Sequence, residues 1–182
     1  MFYTQFTNQN KGYHIILNCI ELTSRYAYSV ALKNKTASSV ADGFEKILKN
    51  NNYKIKVVTT DNGSEFMGEF AKLLHKNNIE HYIVYPGINK HTLGKVERFN
   101  RTIRMKLDRY MKANKTKTWY SVLDDIVENY NTTKHSSTNL RPDNVVSSDL
   151  SKIRLKEEFK GNAAREEINK FKIGDNVSTI KS

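Results

Sequence analysis

Apolar side chains recur along the chain at two spacings, and these spacings predict the secondary structure. Short runs of β-branched and aromatic residues are typical of strands, whereas apolar residues three or four positions apart are typical of helices. The runs predict strands over 13–22, 26–32, 54–60 and 81–85. The wider spacing predicts helices over 36–50, 64–76 and 119–131, and a long helix between Gly94 and Asn114. This order predicts a mixed α/β domain whose first two strands form a hairpin.

The composition divides the chain into three parts. Residues 1–150 carry the strand and helix patterns and predict one compact domain. Residues 151–169 are highly charged and predict a linker, and residues 170–182 predict two short β segments about a Gly174-Asp175 turn. With 38% hydrophobic residues, the chain can bury a core, so disorder over its full length is excluded.

The positive charge is concentrated in one stretch. The chain carries 30 Lys and Arg against 19 Asp and Glu, a net charge of +11. Nine basic and two acidic residues lie between Lys95 and Lys117, so this stretch alone contributes +7. An exposed helix usually alternates its charges, and this one does not, so we expect it to bind a phosphate backbone. The alternative that the basic residues serve only solubility stays open.

Three further observations bear on location. No apolar run is long enough to cross a membrane, and residues 1–14 do not have the pattern of a secretory signal. Cys19 is the only cysteine and cannot form an internal disulfide. We therefore expect an intracellular protein without a membrane partner.

Two carboxylates are candidates for metal binding. Asp61 follows a predicted strand, although aspartate in Asp-Asn-Gly is also an ordinary turn residue. Glu97 falls in the first turn of the predicted long helix, where the helix dipole alone favours an acidic residue. Arg101 and Arg104 return to within about 40° of Glu97 around that helix. A carboxylate beside two arginines suits a site that holds both a divalent metal and a nucleic-acid phosphate.

The motifs around these carboxylates resemble the catalytic blocks of retroviral-type integrases. The segments are T-D-N-G-S-E-F at 60–66 and G-K-V-E-R-F-N-R-T at 94–102, and 35 residues separate Asp61 from Glu97, as in the D,D-35-E pattern. The resemblance covers about residues 11–146 and includes W-x-x-x-L-x-x-x-V-x-x-Y-N-x-T-x-H at 119–135. FKIGDNV at 171–177 looks like the start of the family's SH3-like domain. The motifs are most similar to Maverick/Polinton-type integrases, then to Ty3-like ones.

The resemblance implies a ribonuclease H-like fold, a mixed sheet flanked by helices. It implies 3′-end processing and strand transfer of element DNA into target DNA, with two Mg²⁺ or Mn²⁺ ions held by Asp61 and Glu97. It also implies a homo-oligomer in the nucleus or in a nucleoprotein complex of a virus or transposon, and a loop over 86–95 that flexes above the site. The DNA contacts it implies come from Lys95, Arg98, Asn100, Arg101 and Arg104.

The sequence also departs from that family. The family's first catalytic Asp lies on its first strand, but residues 1–20 contain no acidic residue, and the first one is Glu21. We therefore expect a core that lacks its first strand and first Asp and is truncated at both ends, with Glu21 as a less favoured substitute ligand. The family's zinc-binding His-His-Cys-Cys domain is absent, so we expect no zinc. The five histidines are interpreted as ordinary polar residues: His14, His75, His81, His91 and His135.

Three functions remain open from the sequence. The first is a metal-dependent polynucleotidyl transferase, impaired by loss of the first Asp or completed by an upstream segment that supplies it. The second is a catalytically inactive remnant that binds DNA through its basic helix. The third is a decayed fragment without function.

Overall fold

The computed structural model describes residues 6–51, 54–85 and 90–155, with the side chains of 90–92 excepted. The expected mixed α/β architecture is confirmed. No helix in these ranges is long and apolar enough to cross a membrane. The main elements are β1 (Ile15–Ile20), β2 (Ala27–Leu32), α1 (Ala37–Lys49), β3 (Val57–Asp61), α2 (Glu69–Lys76), β4 (Glu80–Val84), α3 (Lys90–Ala113) and α4 (Leu123–Thr132). Short 3₁₀ turns lie at Asn8–Asn10, Ser64–Phe66, Tyr120–Val122 and Pro142–Asn144, and residues 147–155 are helical.

The four strands form two separate pairs. β1 and β2 are antiparallel and pair from Ile15 with Leu32 to Ile20 with Ala27, which confirms the predicted hairpin. β3 and β4 are parallel, and Asp61 pairs with Val84 at their carboxyl ends. Within the described ranges, β1 and β3 are not hydrogen-bonded to each other, and no strand precedes Ile15.

The β1–β2 hairpin is buried on both faces because its apolar residues alternate between two cores. Ile16 and Ala27 face α3 and α4, where Phe99 and Trp119 are completely buried. The alternate positions of the two strands, such as Ile15 and Leu32, face α1, α2 and the β3–β4 pair. Side chains at successive strand positions point to opposite faces, so this pattern requires a helix layer on each side.

The long helix starts earlier than its sequence pattern predicts. α3 begins at Lys90, so the loop expected over 86–95 is wrong for residues 90–95, and residues 86–89 lie outside the described part. Gly94 lies inside the helix with open space on its side-chain side. A glycine costs a helix only about 1 kcal/mol relative to alanine. The packing of Phe99 and Ile103 further along the same helix is sufficient to outweigh that cost.

The predicted helix over 64–76 is also divided. A 3₁₀ turn at Ser64–Phe66 precedes α2, and Gly68 between them has a φ of +55°. That backbone conformation is strained for residues with a side chain, so the glycine permits the break. The predicted β segments at 170–182 and most of the linker lie outside the described residues.

Two buried asparagines hold distant segments together. The Asn131 side chain pairs with both backbone groups of Ala27: it accepts the N–H at 2.9 Å and donates to the carbonyl at 2.9 Å. Asn10 is fully buried; its amide nitrogen donates to the carbonyls of two residues, and its oxygen accepts the N–H groups of Trp119 and Tyr120. Both amides therefore have a partner for each polar atom, as buried polar groups require.

We expect Asn131→Ala to lower the free energy of unfolding by about 2–4 kcal/mol, because it leaves the two backbone groups of the buried Ala27 without partners. Urea denaturation followed by circular dichroism measures the change. Asn129→Ala is the matched control, since Asn129 is exposed on the same helix and its side chain accepts a hydrogen bond from Lys106 at the surface. The control is expected to stay within about 0.5 kcal/mol of the wild type. Equal losses in both variants would contradict the assignment.

Candidate functional site

Asp61 ends β3 at an exposed position. It is the last paired residue of β3, whereas the sequence pattern predicts a strand over 54–60 that ends before Asp61. Its Oδ1 accepts the backbone N–H of Gly63 at 3.2 Å, which closes the Asp-Asn-Gly turn. Alternation along β3 puts Asp61 on the same sheet face as Val57, which is exposed. The carboxylate therefore lies at the carboxyl edge of a sheet, on a solvent-accessible face.

Thr60, which is buried, and His81, which is half-buried, form a pair next to this carboxylate. The Thr60 hydroxyl oxygen lies 2.8 Å from the Asp61 carbonyl oxygen and 2.9 Å from His81 Nε2. A hydroxyl has one proton, so if it donates to the carbonyl, His81 must donate from Nε2. The His81 ring also packs edge-on against Phe70, 5.7 Å away. Burial lowers the pKa of His81 below its ordinary value of 6.5.

An ion pair between buried Glu65 and exposed Lys35 lies on the other side of the turn. Glu65 is buried and its carboxylate lies 2.6 Å from the ammonium of Lys35. A Cβ at Gly63 would come within 2.5 Å of this carboxylate, so position 63 accepts only glycine while Glu65 stays there. Sequence analysis did not single out Glu65, although it belongs to the same T-D-N-G-S-E-F motif as Asp61.

Glu97 lies well inside α3. It is the eighth residue of the helix, about two turns from its start, so the predicted first-turn position is wrong. The helix dipole acts mainly within the first turn, and it therefore does not explain an acidic residue at this position. Glu97 is exposed, and α3 packs against both β1 and β3. Glu97 thus lies on a helix that packs against the strand ending in Asp61.

The residues predicted to bind DNA fall into two groups. Arg98, Arg101 and Arg104 are exposed along α3. By contrast, the Asn100 side chain accepts a hydrogen bond from Asn18 at 2.7 Å and lies in the interface between α3 and β1. The Lys95 ammonium lies 2.9 Å from the Leu22 carbonyl oxygen. DNA contacts from these residues stay predictions, and Asn100 would have to exchange an existing partner to make one.

Glu21 is engaged in the hairpin turn. One of its carboxylate oxygens accepts the backbone N–H of Thr23 at 3.0 Å and that of Ser24. Burial raises the pKa of this carboxyl, but the hydrogen bonds from Ser24 and Thr23 outweigh that effect, so the net pKa is lowered. These contacts favour a structural role for Glu21 over the role of a substitute metal ligand.

The histidines mostly serve local structure. His14 Nδ1 lies 3.1 Å from the Gly12 carbonyl oxygen, and His135 Nε2 lies 3.1 Å from that of Tyr130. His75 is exposed near the end of α2, and the side chain of His91 lies outside the described set.

The chemistry of Asp61 and Glu97 fits a hard divalent cation. Carboxylate oxygens are the protein ligands that Mg²⁺ prefers, and one or two carboxylates with substrate phosphates complete its usual coordination. Neither carboxylate forms an ion pair in the described parts of the chain. Within the same parts, no group of three or more His, Cys, Asp or Glu residues could hold a metal ion. Asp61 and Glu97 as metal ligands therefore stay a prediction.

Comparison with known proteins identifies the class of fold. Residues 3–88 match the family model described as the integrase core domain, a match that includes Asp61 and ends before Glu97. A transposon-derived protein of Caenorhabditis elegans is 26% identical over 175 residues, which are 96% of this chain. The chain spans 57% of the length of that curated relative.

Two solved structures share the fold. The catalytic core domain of the HTLV-2 integrase, determined with magnesium in a trimeric form, has a TM-score of 0.60 and 17% identity over 71% of this chain and 82% of that one. The simian T-cell lymphotropic virus intasome, determined with the PP2A regulatory subunit B56 gamma, contains a chain with a TM-score of 0.59 and 21% identity, over 65% of this chain and 42% of that one. The protein described here has the ribonuclease H-like fold of retroviral integrase catalytic cores.

We expect the free energy of unfolding to fall as the pH drops below 6.5. The pKa of His81 is lower in the folded protein, so the unfolded chain binds this proton first on acidification and is favoured there. His81→Gln keeps a donor near Thr60 but does not titrate, and its stability should depend less on pH between 7.5 and 5.5. Denaturation at several pH values measures the difference. Parallel pH profiles of the two proteins would contradict the effect of His81.

Proposed function

We propose that this protein is a metal-dependent polynucleotidyl transferase that joins element DNA to target DNA. The observation that carries the proposal is the exposed pair Asp61 and Glu97, on a strand end and a helix that pack together in a ribonuclease H-like fold. The match of residues 3–88 to the integrase core domain supports the same class of reaction.

In this proposal each element has a separate task. The two carboxylates would hold divalent cations, which would supply activation of the attacking oxygen and neutralisation of the leaving oxygen of a phosphodiester. Arg101 and Arg104 bind phosphates next to Glu97 and keep the DNA end at the site. The hydrogen bond from Thr60 to the Asp61 backbone and the packing of Glu65 under Gly63 fix the turn that presents the carboxylate.

The same proposal includes the oligomeric state, the metal and the type of mobile element. The relatives include a transposon-derived protein, a trimeric integrase core solved with magnesium and an intasome. By analogy, this protein acts as a homo-oligomer in a nucleoprotein complex of a mobile element and uses Mg²⁺ or Mn²⁺. The motif around Glu97 favours a Maverick/Polinton-type element over a Ty3-like one.

The second candidate function is DNA binding without catalysis. It is favoured by the finding that the described residues offer two carboxylates and no cluster of three. Family members use three, so a chain that supplies two would retain the basic helix and lose the reaction.

The joining reaction separates the two functions. The first function predicts that the purified protein, with Mn²⁺, joins a labelled duplex end to plasmid DNA, although less efficiently than a chain with all three carboxylates. Asp61→Asn should abolish joining and weaken Mn²⁺ binding, measured by calorimetry, while its affinity for DNA stays nearly unchanged. Asp42→Asn is the matched control, since Asp42 is exposed on α1 and carries the same charge.

The outcomes of that experiment distinguish the two functions and test the metal assignment. DNA binding without joining by the wild type would favour the second function. Equal Mn²⁺ affinity in the wild type and Asp61→Asn would contradict the assignment of Asp61 as a metal ligand.

We define the arginine face as Arg101 and Arg104 on α3. Its role is tested by measuring the affinity for duplex DNA at several salt concentrations. We expect Arg101→Ala/Arg104→Ala to weaken duplex binding by about tenfold and to lower the slope of log affinity against log salt by about two, because each lost phosphate contact removes about one released counterion. Lys46→Ala/Lys76→Ala removes the same charge from α1 and α2 and should change neither quantity much. Equal losses of affinity in the two double variants would indicate that Arg101 and Arg104 act only through the net charge of the protein.

A further inference from the structure

A second basic surface lies near the far end of α3 from Glu97. We define the lysine-tyrosine surface as Lys11, Tyr13, Lys33, Lys117 and Tyr120. Lys117 follows the end of α3 at Ala113. Arg101 and Ala113 are twelve helical residues apart, so this surface begins about 18 Å along the axis from the arginine face.

Aromatic rings organise the lysines of this surface. The rings of Tyr13 and Tyr120 are stacked, with centroids 4.3 Å apart and planes inclined by 6°. The Lys33 ammonium lies 5.3 Å from the Tyr13 ring centre, and the Lys11 ammonium lies 6.0 Å from that of Tyr120. Because the rings cover each other's inner faces, the two ammonium groups lie over the outer faces.

A third lysine belongs to the same arrangement. The Lys117 ammonium lies 5.7 Å from the ring centre of Phe6. The buried amide of Asn10 donates to the backbone carbonyls of both Phe6 and Lys117 and accepts the N–H of Tyr120, so it fixes the two segments that carry the surface. The lysines are therefore attached to a rigid base.

The charge of this surface is largely unopposed. Lys11, Lys33 and Lys117 are exposed, and none of them forms an ion pair with an acidic side chain in the described ranges. Asp124, on the first turn of α4, is an acidic side chain close enough to interact electrostatically with Tyr120. The rings hold the lysine stems in place, and this lowers the entropy lost when an anion binds.

We propose that the lysine-tyrosine surface binds the phosphate backbone of double-stranded DNA. Both outer ring faces are covered by lysines, so nucleic-acid bases have no ring face on which to stack. Contact is therefore with phosphates and independent of sequence. Further exposed basic side chains, Arg109 and Lys112, lie on α3 between Arg104 and the end of the helix. The choice of DNA as the ligand rests on the proposed function.

The test removes the three lysine charges. We expect Lys11→Gln/Lys33→Gln/Lys117→Gln to bind duplex DNA about tenfold more weakly than the wild type at physiological salt, with a salt slope lower by between about two and three. The control variant Lys46→Gln/Lys54→Gln/Lys76→Gln carries the same change in charge at exposed positions elsewhere and should bind nearly as the wild type does. Replacing the same three lysines of the surface by Arg should preserve binding. Thermal unfolding verifies that each variant is folded.

Combining variants separates this inference from the proposed function. The two basic faces are far enough apart for their effects on log affinity to add. If the Arg101/Arg104 variant loses affinity and the surface variant does not, the inference is wrong and the proposed DNA site stands. If only the surface variant loses affinity, the proposed arginine contacts are wrong and the inference stands.

Two further outcomes would overturn the inference. One is an equal loss of affinity in the control variant, which would indicate a general charge effect. The other is competition by polyglutamate that matches competition by duplex DNA, which would reassign the surface to an acidic protein.

Discussion

Packing on both faces of the β1–β2 hairpin is the constraint on which the rest of the structure depends. One face holds α3, which carries Glu97, and the other belongs to the core that holds β3, which carries Asp61. The two carboxylates are therefore positioned by separate cores that share this hairpin. A change in the volume of a hairpin residue such as Ile16 would move one carboxylate relative to the other, because close-packed interiors transmit such changes.

Hydrogen bonds between polar side chains fix the position of α3 along β1, which apolar packing alone would not specify. Asn18 joins β1 to α3 through Asn100 and accepts a hydrogen bond from Ser29 on β2. Apolar contacts can slide with little loss, but a hydrogen bond fails when its partners are displaced by about 1 Å. This network therefore specifies the position of α3 along β1, and with it the position of Glu97.

The strands and most helices could be predicted from local patterns, because each apolar run or stripe records which side of its own element is buried. Thr36 illustrates this for a helix boundary, because threonine is a preferred cap residue and its hydroxyl accepts the N–H of Ser39 at the start of α1. The start of α3 was missed because Gly94 signals a break locally, while the packing that carries the helix through it lies further along the chain. The candidate carboxylates were found from motif and spacing.

The supporting contacts of the site could not be predicted in the same way. Lys35 is 30 positions away from Glu65, and His81 is 21 away from Thr60. Nothing local marks such partners, since they are set by how β3, β4 and α1 come together. Tyr13 and Tyr120, whose rings are stacked, are even further apart in sequence. The buried Asn10 holds their segments together by accepting the N–H of Tyr120.

The pairing of Asn131 with Ala27 also affects how copies of the protein can meet. β2 is an edge strand of its sheet in the described chain, and an open edge is a template for pairing with a strand of another molecule. At Ala27 the outward N–H and carbonyl are already taken by a side chain. A neighbouring strand would have to displace that amide, so edge-to-edge aggregation is blocked at this point, and oligomers are directed toward other surfaces.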